Sequence, residues 1–140
     1  MAFQETMRLY PPVWSMHRQA IHESRIGDYR IPPGATVFIS PYLLHRHPSY
    51  WPDPDRFDPD RFSPERSAVR PRFAYLPFAA GPRQCIGAHF AALEAQIVIA
   101  MVLQRYRLRL VSGQAVDVIG SITLRPDNGI RMVIEHRKAR

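Results

Sequence analysis

Residues 78–87 of this 140-residue chain read Phe78-Ala79-Ala80-Gly81-Pro82-Arg83-Gln84-Cys85-Ile86-Gly87 and contain its only cysteine. The next proline after this decapeptide is Pro126, so a long segment without helix breakers follows it. Apolar residues recur at helical spacing from about Ala88 to Gln104, which predicts a long helix directly behind the cysteine. Backbone N–H groups and the positive end of a helix dipole would stabilise a thiolate at this position.

A single cysteine excludes an internal disulfide and a zinc site built from several cysteines. Taken alone, Cys85 could be a structural apolar thiol at a loop–helix junction, a nucleophile or a lone metal ligand. Arg83 could stabilise a thiolate or reach past it to a carboxylate. Gly81 and Gly87, one on each side, would let the backbone approach a flat ligand closely.

The pattern Phe-x-x-Gly-x-Arg-x-Cys-x-Gly in this decapeptide resembles the haem-binding signature of the cytochrome P-450 family. The resemblance implies that Cys85 is the catalytic axial thiolate ligand of a haem b iron. It also implies that Phe78 packs beneath the haem near the sulfur and that Arg83 pairs with a haem propionate. Gly81 and Gly87 would shape the loop.

The fold implied by the resemblance is α+β. It is the C-terminal part of the mostly helical cytochrome P-450 fold, with a long helix after the cysteine loop and short β-hairpins. Residues 1–140 would form a single partial domain on the proximal side of the haem. The predicted first helix begins almost at Met1, so we expect it to be the end of a longer helix.

A second motif, Glu5-Thr6-Met7-Arg8, has the Glu-x-x-Arg form, whose two charged members lie on one helix face. Alone, such a pair is usually solvated. In the family the third member is the arginine of a Pro-x-Arg-Phe element. Pro59-Asp60-Arg61-Phe62 and Pro54-Asp55-Arg56-Phe57 both match, and Arg61 is preferred because its separation from Cys85 is more typical of the family. The resemblance implies a buried structural network of Glu5, Arg8 and Arg61.

Other site residues carry over from the family by position alone. Arg18 matches a position at which many members present a second propionate-binding arginine. Val13-Trp14-Ser15-Met16 and Gly120-Ser121-Ile122 match segments that line the substrate pocket, although by themselves they are ordinary core and turn sequences. Three histidines fit no metal-binding spacing and are expected at the surface or in hydrogen bonds, namely His45, His47 and His89.

The remaining elements are predicted from local patterns. Good helix formers at Ala2–Leu9 favour a helix that Pro11-Pro12 ends. The other predicted elements are a β-hairpin within 26–40, a helical turn at 42–46, an irregular loop at 48–64, a strand at 106–111 and a second hairpin pairing 122–124 with 130–134.

Composition narrows the function classes. The net charge is +7 and every basic residue except Lys138 is an arginine, but these arginines are scattered singly. Nucleic-acid grooves use tight basic runs with interleaved aromatic residues, so no nucleic-acid partner is expected. No run of eighteen apolar residues and no secretory signal is found, which predicts a cytoplasmic protein without a membrane segment.

The resemblance implies a monooxygenase that inserts one oxygen atom from dioxygen into a small apolar organic substrate, with a ferredoxin or flavoprotein reductase as electron donor. Complete family members are several times longer and carry, on the opposite haem face, a helix with an acid–threonine pair. This sequence contains no such helix, so turnover by the chain alone is not expected. The alternative is a non-catalytic haem-binding remnant or fragment that lacks the distal half.

Overall fold

The computed structural model describes residues 1–137, in which helices alternate with two-stranded antiparallel sheets. The helices are α1 (Ala2–Leu9), α2 (Pro41–Leu44), α3 (Pro64–Ala68) and α4 (Ala88–Arg105), with 3-10 turns at Pro59–Phe62 and Gly81–Arg83. The strands are β1 (Met16–Gln19), β2 (Ser24–Ile26), β3 (Tyr29–Ile31), β4 (Thr36–Ile39), β5 (Tyr106–Leu110), β6 (Val118–Gly120), β7 (Leu124–Pro126) and β8 (Met132–His136). The predicted α+β class is confirmed.

The bounds of helices α1 and α4 agree closely with the sequence prediction. α1 ends at Leu9, because Pro11 has no N–H and its ring blocks a further turn. α4 covers 18 residues, and β5 begins at the next residue, Tyr106, whose backbone is already extended (φ −128°, ψ 152°). The loop at 48–64 is irregular apart from its terminal 3-10 turn.

The first predicted hairpin is wrong in its pairing. β3 pairs with β2 across the Gly27-Asp28 turn, whereas β4 pairs with β1, from Met16 opposite Ile39 to Gln19 opposite Thr36. Gly27 has φ +57°, which suits a tight reversal. Pro32-Pro33 have no N–H to contribute to a ladder, so the segment after β3 leaves its sheet.

The second predicted hairpin is also wrong. β7 pairs with β6, and β8 pairs with β5 over five residues, from Tyr106 opposite His136 to Leu110 opposite Met132. The Pro126–Gly129 turn therefore links two sheets and does not join two paired strands. The longer ladder, with an Arg109–Glu135 ion pair, is available only between segments distant in sequence.

The most deeply buried part of the molecule lies between α1, α2 and the 3-10 turn at Pro59–Phe62. Trp51 is 1% exposed, and its ring centroid lies 5.9 Å from that of Phe62. Tyr75 packs edge-on against Phe62 at 4.9 Å. Four polar or charged side chains are buried in the same region, namely Glu5, Arg8, His45 and Arg61.

α4 contrasts with this core because it is apolar on every side and mostly uncovered. Phe90, Leu93, Ile97 and Met101 are all exposed, and Ala88 is its buried residue. A helix that is apolar all round is typical of one enclosed by other elements. The helix bounds could be predicted, but α4 contributes little to the core of the described residues.

Candidate functional site

The cysteine loop is closed by one backbone hydrogen bond and held by two left-handed residues. The Cys85 amide donates to the Phe78 carbonyl at 2.9 Å, and the 3-10 turn at Gly81–Arg83 lies inside that closure. Gly81 has φ +71° and Ala79 has φ +59°. Glycine adopts this region freely, whereas alanine is strained in it. The loop leaves Cys85 exposed.

A surface pocket of about 360 Å³ collects four of the six predicted cofactor-binding residues: Phe78, Arg83, Cys85 and Arg18 all line it. The rest of its lining is mostly apolar and comes from Met7, Pro12, Val13, Met16, Leu76, Pro77 and Ala79. Chain segments far apart in sequence therefore present one thiol, two guanidiniums and an apolar wall to the same space.

The two predicted loop glycines differ in whether their backbone conformation requires glycine. Gly81 requires glycine because of its positive φ, and a Cβ there would meet no other atom. Gly87, the residue before α4, has φ −85°, which any residue can adopt. A Cβ on Gly87 would lie 3.9 Å from the Cys85 Sγ, in ordinary contact. A side chain would therefore fit at Gly87, and of the two glycines only Gly81 shapes the loop through its backbone conformation.

The two arginines of the pocket have no carboxylate partner within 4 Å among residues 1–137. Arg18, on β1, donates from Nη1 to the carbonyl of its neighbour His17 at 2.8 Å. Arg83 is the last residue of the 3-10 turn, and its side chain is exposed. Both guanidiniums retain donors for a carboxylate ligand, with which arginine forms paired hydrogen bonds.

Glu5, Arg8 and Arg61 meet in the core. Arg8 donates two hydrogen bonds to the Glu5 carboxylate, from Nε to Oε2 at 2.7 Å and from Nη2 to Oε1 at 2.8 Å. The Arg61 Nε lies 3.4 Å from Glu5 Oε1. One carboxylate thus serves two buried guanidiniums, an arrangement in which each charge depends on the others.

The same arginines also hold the long loop against α1. Arg8 Nη1 donates to the carbonyls of His45 at 2.8 Å and Pro54 at 2.7 Å, and Arg61 Nη2 donates to the Asp53 carbonyl at 2.8 Å. Arg56, from the competing Pro-x-Arg-Phe run, is exposed and contributes only its carbonyl, to Arg8 Nη2. Arg61, and not Arg56, is thus the arginine whose side chain lies against Glu5.

The segments 13–16 and 120–122, matched to substrate-lining positions, lie together. The Trp14 indole donates to the Ser121 carbonyl at 2.8 Å, and a Cβ built on Gly120 would lie 3.2 Å from the Trp14 ring. Val13 and Met16 line the cysteine pocket. The turn at 120–122 therefore contacts Trp14, which lies between two residues of the pocket wall in sequence but does not itself line the pocket.

His45 is a fully buried residue that the sequence analysis did not single out. Its Nε2 accepts from the Leu76 amide at 2.8 Å, and its Nδ1 lies 3.2 Å from the Arg8 carbonyl. Burial, reinforced by Arg8 and Arg46, lowers the pKa of His45 to about 4. The sequence Leu44-His45-Arg46 carries no periodic signal, and of the two predicted places for His45, the surface or a hydrogen bond, the structure shows the second. His47 and His89 are exposed, and residues 1–137 contain no cluster of three His, Cys, Asp or Glu fit for a metal.

The pocket suits haem b in its donor set. A single thiol, a soft donor of the kind that suits iron, stands at one wall, two free guanidiniums could take the two propionates, and the apolar wall matches a flat macrocycle. The residues that would hold it are Cys85, Arg83, Arg18 and Phe78.

Burial raises the pKa of Tyr75, on the segment leading to this loop, well above its ordinary range.

Comparison with known proteins agrees with this arrangement. The family model described as cytochrome P-450 matches residues 1–131. The chain is 42% identical to cytochrome P-450 4c3 of Drosophila melanogaster over 135 residues, which cover 96% of this chain and 25% of that protein. It is 41% identical to cyclooctatin synthase of Streptomyces melanosporofaciens over 135 residues, covering 96% of this chain and 29% of that protein.

Solved structures are similar in the same way. A cyanobacterial CYP structure with bound retinoic acid superposes with a TM-score of 0.91 at 33% identity, covering 97% of this chain and 32% of that one. The chain thus spans less than a third of the length of the relatives it matches. Along residues 1–137, no helix is both long and apolar enough to cross a membrane. The chain belongs to the cytochrome P-450 family, of whose fold it forms the C-terminal portion.

Proposed function

We propose that this chain is the haem-binding portion of a cytochrome P-450 monooxygenase, in which the Cys85 thiolate would hold the iron of haem b. The observation that carries the proposal is the shared pocket of Cys85, Phe78, Arg83 and Arg18. A thiol beside two unpaired guanidiniums and an apolar wall matches the iron, the propionates and the flat ring of this cofactor.

When bound through a thiolate, haem supplies the activation of dioxygen by which one oxygen atom enters an organic substrate. The chain's own residues bind and orient the group. Cys85 gives up its thiol proton to become a ligand, and the hydrogen bond from its amide to the Phe78 carbonyl fixes the loop. Arg18 and Arg83 would neutralise the propionates, and Phe78 would cover the sulfur side and keep water away.

The substrate in this proposal is a small apolar organic molecule, because the neighbouring side chains Val13 and Met16 offer apolar contacts and no fixed charge. The electrons would come from a ferredoxin or a flavoprotein reductase. The net charge of +7 favours an acidic partner of this kind by long-range attraction. A cytoplasmic location stays a prediction from the sequence.

A second candidate is a haem-binding unit that does not turn over substrate by itself. The exposed apolar side chains of α4, such as Phe90 and Leu93, favour it, because a helix of this kind needs cover that residues 1–137 do not provide. Both candidates share the Cys85 ligand and differ only in turnover.

The test of the ligand is spectroscopic. The chain is loaded with haem, reduced and exposed to carbon monoxide, and we expect the strongly red-shifted Soret band of thiolate ligation. Cys85→Ser should abolish that band while leaving the far-UV circular dichroism unchanged. A band that is missing in the parent chain, or that survives the substitution, would show that the assignment is wrong.

The propionate contacts are tested by haem loss to an excess of an acceptor haem protein. Arg18→Gln and Arg83→Gln should each speed that loss by roughly tenfold, the effect of removing one charge-assisted contact. Arg72→Gln is the matched control, because Arg72 is exposed and lies outside the pocket. Equal rates for all three variants would contradict the proposed contacts.

Turnover of a substrate by the loaded chain alone would exclude the second candidate.

A further inference from the structure

Three consecutive residues just before the cysteine loop, Ala74–Leu76, each form a hydrogen bond with a residue earlier in the chain. We call this segment the strap. The Trp51 indole donates to the Ala74 carbonyl at 3.3 Å, and the Tyr75 hydroxyl donates to the Gln4 carbonyl at 3.0 Å. The Leu76 amide donates to Nε2 of His45 at 2.8 Å. Three successive attachments leave the strap little freedom to slide along α1.

The His45 contact differs from the other two because its strength depends on protonation. Nε2 accepts a hydrogen bond, so it carries no proton, and the ring proton sits on Nδ1, which faces the Arg8 carbonyl at 3.2 Å. The side chain is fully buried. A neutral ring with one donor and one acceptor therefore bridges α1 to the strap.

The bridge continues into the site. The Leu76 carbonyl accepts from the Ala79 amide at 3.4 Å, and the Phe78 carbonyl accepts from the Cys85 amide at 2.9 Å. Leu76 and Phe78 also line the pocket that contains Cys85. Short hydrogen-bonded steps thus connect the buried histidine to the backbone of the cysteine.

We propose that His45 is a positioning residue for the Cys85 thiol, and that its neutral ring, by holding Leu76 against α1, sets where the sulfur stands in the pocket. This inference rests on the proposed haem ligation for its functional meaning. The bridge itself is a property of the haem-free chain and can be measured without the cofactor.

The surroundings of His45 make the bridge sensitive to acid. The guanidinium of Arg8 on α1 and that of Arg46 after α2 both oppose a positive charge on the ring. The Tyr75 ring on the strap lies 5.2 Å away, centroid to centroid, and is neutral over the relevant pH range. A second ring proton would place two donors face to face at the Leu76 contact, which breaks it.

The haem-free test is the tautomer of His45. In a ¹⁵N-labelled chain at pH 7, the ring nitrogens of His45 should show a protonated Nδ1 and an unprotonated Nε2, with a coupling across the hydrogen bond to the Leu76 amide. The Leu76 amide should also exchange slowly with solvent. A protonated Nε2, or fast exchange at Leu76, would overturn the bridge.

The functional test compares two variants loaded with haem, by their reduced carbon monoxide spectra. His45→Phe keeps a ring and removes both hydrogen bonds, so the red-shifted band should fall several-fold at pH 7. His45→Gln keeps an acceptor for Leu76 that does not titrate. It should retain the band at pH 7 and hold it towards about pH 4, where protonation of His45 makes the parent chain lose it.

His47→Gln is the matched control, because His47 is exposed and two residues away, and its pH profile should equal that of the parent chain. A full band in His45→Phe, or a His45→Gln profile identical to the parent profile, would overturn the inference. If the parent chain shows no red-shifted band at pH 7, the haem proposal fails, and the tautomer measurement still decides whether the bridge exists.

Discussion

Oxygen Oε1 of Glu5 lies 3.4 Å from Nε of Arg61, and both side chains are almost fully removed from water. The contact is an ion pair without a hydrogen bond, and Arg61 Nε has no acceptor in good geometry. The reason is competition, because Oε1 already accepts from Arg8 Nη2 at 2.8 Å and from the Asp58 amide at 2.9 Å. Oε1 is thus saturated with donors, and loss of the carboxylate would release several partners at once.

The first prediction follows from this saturation. Glu5→Gln should lower the free energy of unfolding by about 3–5 kcal/mol, because it leaves buried Arg8 without a countercharge and buried Arg61 with only the Asp58 carboxylate, 4.0 Å away. Urea denaturation followed by circular dichroism measures it. The control is Glu23→Gln, which breaks the Arg30 ion pair of two exposed side chains and should cost under about 1 kcal/mol. Equal losses in the two variants would contradict a central role for Glu5.

The second prediction concerns pH. The pKa of His45 is lowered from 6.5 to about 4 in the fold, so the unfolded chain takes up a proton at a higher pH than the folded chain does. The contribution of the neutral ring to stability is complete above about pH 6.5 and is lost as the pH falls towards 4. The total loss is about 3 kcal/mol, and below pH 4 it grows no further.

This pH effect is read from urea midpoints of the haem-free chain between about pH 7.5 and 4. His45→Gln removes the titrating ring and should flatten the profile over this window. His47→Gln should leave the slope unchanged. A parent profile with no slope between about pH 6.5 and 4 would be incompatible with a buried neutral His45.

The third prediction concerns the two left-handed residues of the cysteine loop. Ala79→Gly should stabilise the haem-free chain by up to about 1 kcal/mol, because glycine adopts φ +59° without strain. Gly81→Ala is the opposite change at φ +71° and should destabilise it by about 1–2 kcal/mol. Thermal unfolding of both variants gives the signs. The same sign for both would show that backbone strain does not govern this loop.

The fourth prediction concerns the contact between Trp14 and the turn at 120–122. A Cβ on Gly120 would lie 3.2 Å from one atom of the Trp14 indole, closer than most packed contacts, and 3.4 and 3.5 Å from two others. Gly120→Ala should therefore push the ring aside and cost about 1 kcal/mol of stability. Ser121→Ala is the control, since Trp14 bonds to the backbone carbonyl of that residue. An unchanged stability in Gly120→Ala would mean that the ring yields freely.

Local patterns predicted the elements whose structure depends on neighbouring residues. Pro11 ends α1, the apolar repeat predicts α4 to within a residue, and the alternation after Tyr106 predicts β5. Both hairpins were wrong for one physical reason. A turn sequence shows that the chain reverses, but pairing depends on which distant strand offers the better ladder, as β8 shows by pairing with β5.

The motif around Cys85 carried the identity of the family by sequence alone, because ligand chemistry confines the residue types of a short loop. The tertiary structure decided three features. It brings Arg18 and Arg83 to one pocket, it surrounds the Glu5 carboxylate with donors, and it places His45 between α1 and Leu76. These depend on burial and on contacts between residues tens of positions apart. His45 carries no motif, and it becomes a neutral bridge only because the fold removes it from water between one carbonyl and one amide.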